Sequence, residues 1–184
     1  MKRLLDLLLA LVATLLLIVP VVVVAIMVKL TSAGPALYWS DRVGRHNKIF
    51  KMPKFRSMQI GTPAVATHLL KDPNGYLTPV GSFLRKSSLD ELPQFWNVLR
   101  GEMSVVGPRP EELWMVDRYD EATRARLRIK PGITGYQQIR CRGTEDMSVR
   151  LNHDLYYIDH QSLFFDLYII LQTLWVVITG KGRI

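Results

Sequence analysis

The apolar run from Leu4 to Val28 constrains this chain more than any other feature. It carries one charge, Asp6, and exceeds the ~20 apolar residues that a helix needs to cross a bilayer. Cleaved signal peptides have apolar regions of only ~7–15 residues, so the run reads as a membrane segment. Pro20 lies inside it; a proline has no N–H and crowds the carbonyl four residues back, which favours a kink. Basic residues flank both ends: Lys2 and Arg3 before it, Lys29, Arg42, Arg45, Lys48 and Lys51 after it. Positive charge resists export, so these flanks argue that both ends stay cytoplasmic. Two topologies remain open on these grounds. One is a plain spanning helix; the other is a re-entrant helix–break–helix, whose freed backbone groups need partners.

The 184 residues leave room for one ordinary domain, 31–184, behind an anchor at 1–30. The net charge of +8 suits nucleic acid, anionic lipid headgroups or phosphorylated small molecules. The anchor favours the last two, and no nucleic-acid partner is expected. With Cys141 as the sole cysteine, no intrachain disulfide forms, which fits a reducing compartment. Leu37–Trp39 and Lys48–Met52 read as short strands, and Val80–Lys86 as a short helix. Leu92, Phe95, Trp96 and Leu99 have helical spacing, which predicts a helix from Leu89 to Leu99 stopped by Gly101. Pro110 to Ile129 is expected to be one helix, with Glu111 and Glu112 near its start, arginines near its end and Pro131-Gly132 beyond it. Leu163 to Ile178 reads as a buried core helix or as a helix in the membrane interface, the second preferred because Lys181 and Arg183 follow.

The densest polar segment runs from Arg85 to Arg109. Pro93 belongs in the first turn of a helix, so Asp90 and Glu91 sit at or just before a helix N-terminus. They can simply cap that helix and complement its dipole. Arg85, Lys86 and Arg109 supply phosphate-binding cations, however, and Gly107-Pro108-Arg109-Pro110 builds a rigid turn around one of them. Two adjacent carboxylates beside arginines can divide labour, one holding a hard cation such as Mg2+ and the other attacking phosphorus. Lys54-Phe55-Arg56 adds two cations around an aromatic residue; an alternating exposed strand is the plainer account. The histidines show no metal-ligand spacing, and no nucleotide-binding glycine fingerprint occurs.

These segments together resemble the bacterial sugar transferase family, the monotopic polyprenyl-phosphate phosphoglycosyl transferases, over nearly the whole chain. The likeness rests on the Pro-interrupted anchor, Lys54 to Met58, Ser88 to Gln94, Asn97 to Leu99, Gly107 to Pro110, Pro131 to Gly135, Asp154 to Tyr157 and Asp166-Leu167. The length resembles the small subtype. The resemblance implies an α+β, mostly helical protein: a re-entrant N-terminal helix broken at Pro20, a compact cytoplasmic catalytic domain and interfacial amphipathic helices. It implies transfer of a phosphosugar from a UDP-sugar to polyprenyl (undecaprenyl) phosphate, giving polyprenyl diphosphate sugar and UMP. That reaction is the first membrane step of capsule, exopolysaccharide, O-antigen or glycoprotein-glycan assembly.

In this resemblance Asp90 is the covalent nucleophile and Glu91 the carboxylate associated with Mg2+, the expected cofactor. Arg109 binds phosphate, and Lys54, Arg56 and Arg85 line the site. Gln138 and Arg142 match a segment implicated in donor binding, although Tyr136 to Cys141 otherwise departs from the family's pattern; Val19 stands before Pro20 where relatives commonly carry serine. The expected location is the cytoplasmic face of the bacterial inner membrane. Expected partners are membrane lipids and downstream glycosyltransferases, with a homodimer left open. A membrane-anchored aspartyl-phosphate hydrolase and a non-enzymatic scaffold for lipid phosphates are the alternatives.

Overall fold

A nearly uniform apolar run still folds into a helix with two distinct faces. In the computed structural model, which describes residues 1–63, 72–141 and 146–179, helix α1 spans Lys2–Thr31. It is the one helix among the described residues long and apolar enough to cross a membrane. Leu4, Leu8, Leu11, Leu15, Val19, Val22, Ile26 and Leu30, spaced by three or four, form an exposed stripe. Asp6, Ala10, Val24 and Val28 are buried on protein. The expected break at Pro20 is corrected to a continuous helix. A proline there removes one hydrogen bond, to the Leu16 carbonyl, and a long helix survives that loss.

The remaining elements are β1 (Leu37–Val43), β2 (Ile49–Phe55), α2 (Gly81–Ser87), α3 (Phe95–Arg100), β3 (Ser104–Val106), α4 (Leu113–Val116), α5 (Glu121–Arg124), β4 (Gly132–Thr134), α6 (Tyr136–Arg140), α7 (Met147–Asp159) and α8 (Leu163–Thr179). The protein is therefore α+β and mostly helical. β1 pairs with β2, and β3 lies parallel to β4 in the register Ser104 to Gly132 and Val106 to Thr134. The β1–β2 connection turns through His46 and Asn47, both left-handed.

Packing divides the chain into two compact units, and α1 contributes to both. The first comprises Met1–Thr14, Ser40–Met52 and the described residues from Gln94 on; the second comprises Leu15–Trp39 and the described residues between Pro53 and Pro93. The first is built on Ala10, Phe50, Met52, Val98, Met103, Val105, Val106, Tyr157 and Ile169. The second is built on Val24, Val28, Phe55 and Leu84.

Two helix expectations need correction. The Leu89–Leu99 segment is a tight 3-10 turn over Leu89–Gln94 followed by α3, because Pro93 denies the first part α-helical bonding. Gly101 stops α3 as expected, with φ 85°. Pro110 to Ile129 is three short pieces, α4, α5 and a 3-10 turn at Ala125–Arg128. Asp120 starts a fresh helix by accepting the Thr123 N–H at 2.8 Å, and Glu111 is drawn into an ion pair with Arg126 at 2.9 Å. These contacts outweigh the charge order that suggested one helix.

Candidate active site

The carboxylate pair is positioned by the hydrophobic residues around it. Ser88, left-handed at φ 60°, ends α2 and turns the chain into the Leu89–Gln94 segment. Residues three apart share a face of a 3-10 helix, and Leu89 and Leu92 both pack on the second unit's core. Asp90 and Glu91 therefore fall off that face. The Glu91 carboxylate lies 2.8 Å from the Lys54 ammonium at the end of β2, and both side chains are mostly buried. Asp90 is 9% exposed. Arg85, in the last turn of α2, donates from Nε to Ser57 Oγ at 3.1 Å. The Ser57 carbonyl accepts the Thr78 N–H at 3.0 Å, and a Cβ on Gly81 would stand 2.1 Å from the same oxygen. Only glycine allows α2, and with it Arg85, to start so close to that backbone.

Arg56 has a structural task in addition to the expected one. Its guanidinium donates to the Ala33 carbonyl, to the Ser32 carbonyl at 3.0 Å and to Ser32 Oγ at 2.9 Å. These groups lie just beyond the last residue of α1, where carbonyls lack intrahelical donors. The geometry makes Arg56 a clamp on the end of α1.

In the first unit the turn around Arg109 is held by backbone alone on one side. Gly107 N–H donates to the Thr134 carbonyl at 2.9 Å, and Gly132 N–H to the Pro108 carbonyl at 2.8 Å. A Cβ on Gly132 would lie 2.1 Å from Gly107 N, and one on Gly135 2.3 Å from Gly107 O. The other side rests on a buried cation, Arg126, whose place late in the Pro110–Ile129 segment had suggested only a helix-dipole charge. Arg126 donates from Nη2 to the Arg109 carbonyl at 3.3 Å and from Nη1 to Tyr119 Oη at 2.6 Å. The same Nη2 lies 2.9 Å from both Glu111 Oε1 and Asp154 Oδ2. Burial opposes the Arg126 charge, but Asp154 and Glu111 outweigh it and its pKa rises. Burial lifts the Asp154 carboxyl to about 6 against the pull of Arg126. Tyr119 is also pushed up, by burial and by the two carboxylates.

Gln138 donates to the Ile133 carbonyl at 3.2 Å, on the strand beside the same turn. Arg142 lies outside the described residues, as do Lys181 and Arg183. The structure thus groups Lys54, Asp90, Glu91 and Arg85 in the second unit, and Arg109 and Gln138 in the first. Arg126, Tyr119 and Asp154 were missed as supports of Arg109. Their one sequence signal was a motif, Asp154 to Tyr157, with no stated role.

The sequence pattern of the bacterial sugar transferases matches residues 1–180. The chain is 37% identical, over 98% of its length, to the UDP-N-acetylgalactosamine-undecaprenyl-phosphate N-acetylgalactosaminephosphotransferase of Aeromonas hydrophila, of which it covers 44%. It is 42% identical, over 99% of its length, to the UDP-glucose:undecaprenyl-phosphate glucose-1-phosphate transferase of Escherichia coli K12, of which it covers 41%. The chain thus spans less than half the length of these two relatives. It covers 87% of the exopolysaccharide production protein ExoY of Rhizobium meliloti, with 37% identity over 98% of the chain. A match of this extent, running from the anchor through α8, places the chain in the bacterial sugar transferase family.

Proposed function

We propose that the chain moves a phosphosugar from a UDP-sugar to undecaprenyl phosphate, releasing UMP, in two steps through Asp90. A carboxylate oxygen of Asp90 attacks the sugar-bearing phosphorus, and the bond from that phosphorus to the bridging oxygen breaks as UMP leaves. An oxygen of the polyprenyl phosphate then attacks the same phosphorus, and the Asp90 carboxylate departs from it. The observation that carries this reading is the fixed Asp90–Glu91 pair: Leu89 and Leu92 anchor its turn, and Lys54 holds Glu91 at 2.8 Å. The names of the relatives support the substrate class. Arg109, on its braced turn, is assigned to phosphate binding, which suits its planar fork.

Mg2+ is commonly held by one or two carboxylates, with substrate phosphates and water completing its shell. The adjacent carboxylates, Glu91 above all, would be the groups to hold such an ion; Glu91 lies 2.8 Å from Lys54. Bound there, it would supply charge neutralisation during phosphoryl transfer. Lys54 orients Glu91 for that role.

The test is a panel of UDP-sugars supplied with undecaprenyl phosphate and Mg2+, with UMP and organic-soluble label both measured. Transfer of label into the lipid phase is expected with at least one sugar. Sugar phosphate released to water would instead identify a hydrolase, and binding of lipid phosphate without UMP release would identify a scaffold.

The same proposal puts the protein at the cytoplasmic face of the inner membrane, with both ends of α1 on that side and its exposed apolar stripe in lipid. α8 exposes Phe164, Leu171, Leu174, Trp175 and Ile178 while burying Asp166 and Ile169, the pattern of a helix lying in the interface. Cysteines inserted after Met1 and replacing Lys48, in a Cys141→Ser background, should both resist an impermeant thiol reagent in intact cells. Both should react after permeabilisation. Labelling of one alone in intact cells would establish a spanning helix.

A further inference from the structure

A carboxylate in a lipid-facing helix is costly. Asp6 escapes that cost because it faces protein: it is 4% exposed. Its Oδ1 accepts the Ser104 hydroxyl at 2.8 Å and the Val105 N–H at 2.9 Å. Those two residues belong to β3, a three-residue strand buried along its whole length. Successive N–H groups of a strand face opposite edges. The Ser104 N–H goes to the Pro131 carbonyl at 2.8 Å, on the β4 side. The Val105 N–H faces away from β4 and would be buried without a partner but for Asp6.

The neighbours of Asp6 bind backbone carbonyls of β3 and α3. Lys2 donates to the Val106 carbonyl at 3.1 Å, and Arg3 donates to the Val98 carbonyl at 2.6 Å and the Leu99 carbonyl at 3.0 Å. Asp6 therefore stands where another strand would flank β3. The residues directly after Val106 are Gly107, Pro108 and Arg109. Pro108 restricts the backbone between the strand and Arg109, so the pose of β3 passes into the turn with little play.

We propose that Asp6 is a positioning residue for the Arg109 turn: by closing the open edge of β3 it makes docking of the membrane helix a condition for correct placement of Arg109. The role of α1 then extends beyond attachment. The kinetic part of the test rests on the transferase reading above, and the exchange part does not.

The experiment uses the full chain in detergent with three variants, Asp6→Ala, Asp6→Asn and Arg109→Lys, together with the Asp6→Ala/Arg109→Lys double variant. Amide hydrogen exchange should rise in the peptide covering 103–110 for Asp6→Ala, while α7 and α8 keep parental protection. Asp6→Asn retains an acceptor oxygen, so it should keep parental exchange and lose no more than about threefold in kcat/KM. Asp6→Ala should lose about 10–100-fold in kcat/KM, but no more than about threefold when added to Arg109→Lys, because residues acting through one another are non-additive. Independent, multiplying losses would overturn the proposal, as would unchanged exchange over 103–110 in Asp6→Ala. Asp6→Asn behaving like Asp6→Ala would also overturn it, because the acceptor would then not be the operative feature. If the chain proves not to transfer phosphosugar, the exchange comparison still decides whether Asp6 holds the turn.

Discussion

Asp90→Asn should abolish both the covalent adduct and turnover, with kcat falling by at least about 10^3-fold, the scale of losing a nucleophile outright. Asparagine keeps the size of the side chain, and Leu89 and Leu92 still anchor the turn to the core. What disappears is the anionic oxygen that bonds to phosphorus. Intact mass after acid quench, with donor supplied and acceptor withheld, should show the phosphosugar on the parent and none on the variant. Glu91→Gln should weaken activity less, because it loosens the 2.8 Å pairing with Lys54 and the grip on Mg2+ while leaving the attacking group in place. Raising Mg2+ should restore part of it. Both variants must still insert and melt near the parent temperature. Normal turnover by a well-folded Asp90→Asn protein would rule out the covalent route, whatever else the chain does.

Arg126→Leu should be the most destabilising single change in the first unit, although Arg126 need touch no substrate. It removes the one side chain that Glu111, Asp154, Tyr119 and the Arg109 carbonyl share. Breaking a buried ion pair from one side costs about 3–5 kcal/mol, because the other charge is left without compensation. For a chain of this size that corresponds to a melting temperature lowered on the order of 10 °C. The loss should depend on pH in a defined direction. Burial already raises the Asp154 carboxyl to about 6 from 3.8. A carboxyl raised on folding contributes stability below its unfolded value and loses it as pH climbs through its folded value. Without Arg126 that penalty on the charged form grows, so the gap to the parent should be narrower at pH 5 than at pH 8. Thermal unfolding at the two pH values measures it. A gap of equal size at both would exclude Asp154 as its source, and no gap at all would remove Arg126 as a support of the turn.

The parts legible in the sequence were those governed by neighbours along the chain. Gly101 was readable as a stop because a left-handed residue after α3 calls for glycine. Pro93 was readable as an early-turn residue because proline has no N–H to give. Asp90 and Glu91 were readable as a pair held at one end of a short element, and their chemistry follows from being two adjacent carboxylates. The Pro110 to Ile129 segment misled because its charge order imitates a helix, while the charges were answering partners elsewhere. Arg42 meets Glu112 at 2.9 Å across the chain, and Arg126 meets Asp154. Arg56 looked like a phosphate ligand because arginine is the commonest one. Its two terminal amino groups meet Ser32 and Ala33, just beyond α1, contacts that lie 24 and 23 positions away and leave no mark in the sequence.

By itself, then, the sequence determined that the chain opens with a helix long and apolar enough to cross a membrane, that Asp90 and Glu91 lie on one turn, and that Arg109 sits in a Gly-Pro-Arg-Pro turn. Each follows from hydropathy, backbone stereochemistry or residue type acting over a few positions. Tertiary structure alone decided which face of α1 meets protein and what its charges do. An apolar run has no periodic signal to mark a face, and Asp6 finds its acceptor role against Val105, 99 positions away. Hydrogen-bond partners that distant are selected by what packing buries together, because a buried donor must be satisfied by whichever acceptor the fold brings to it.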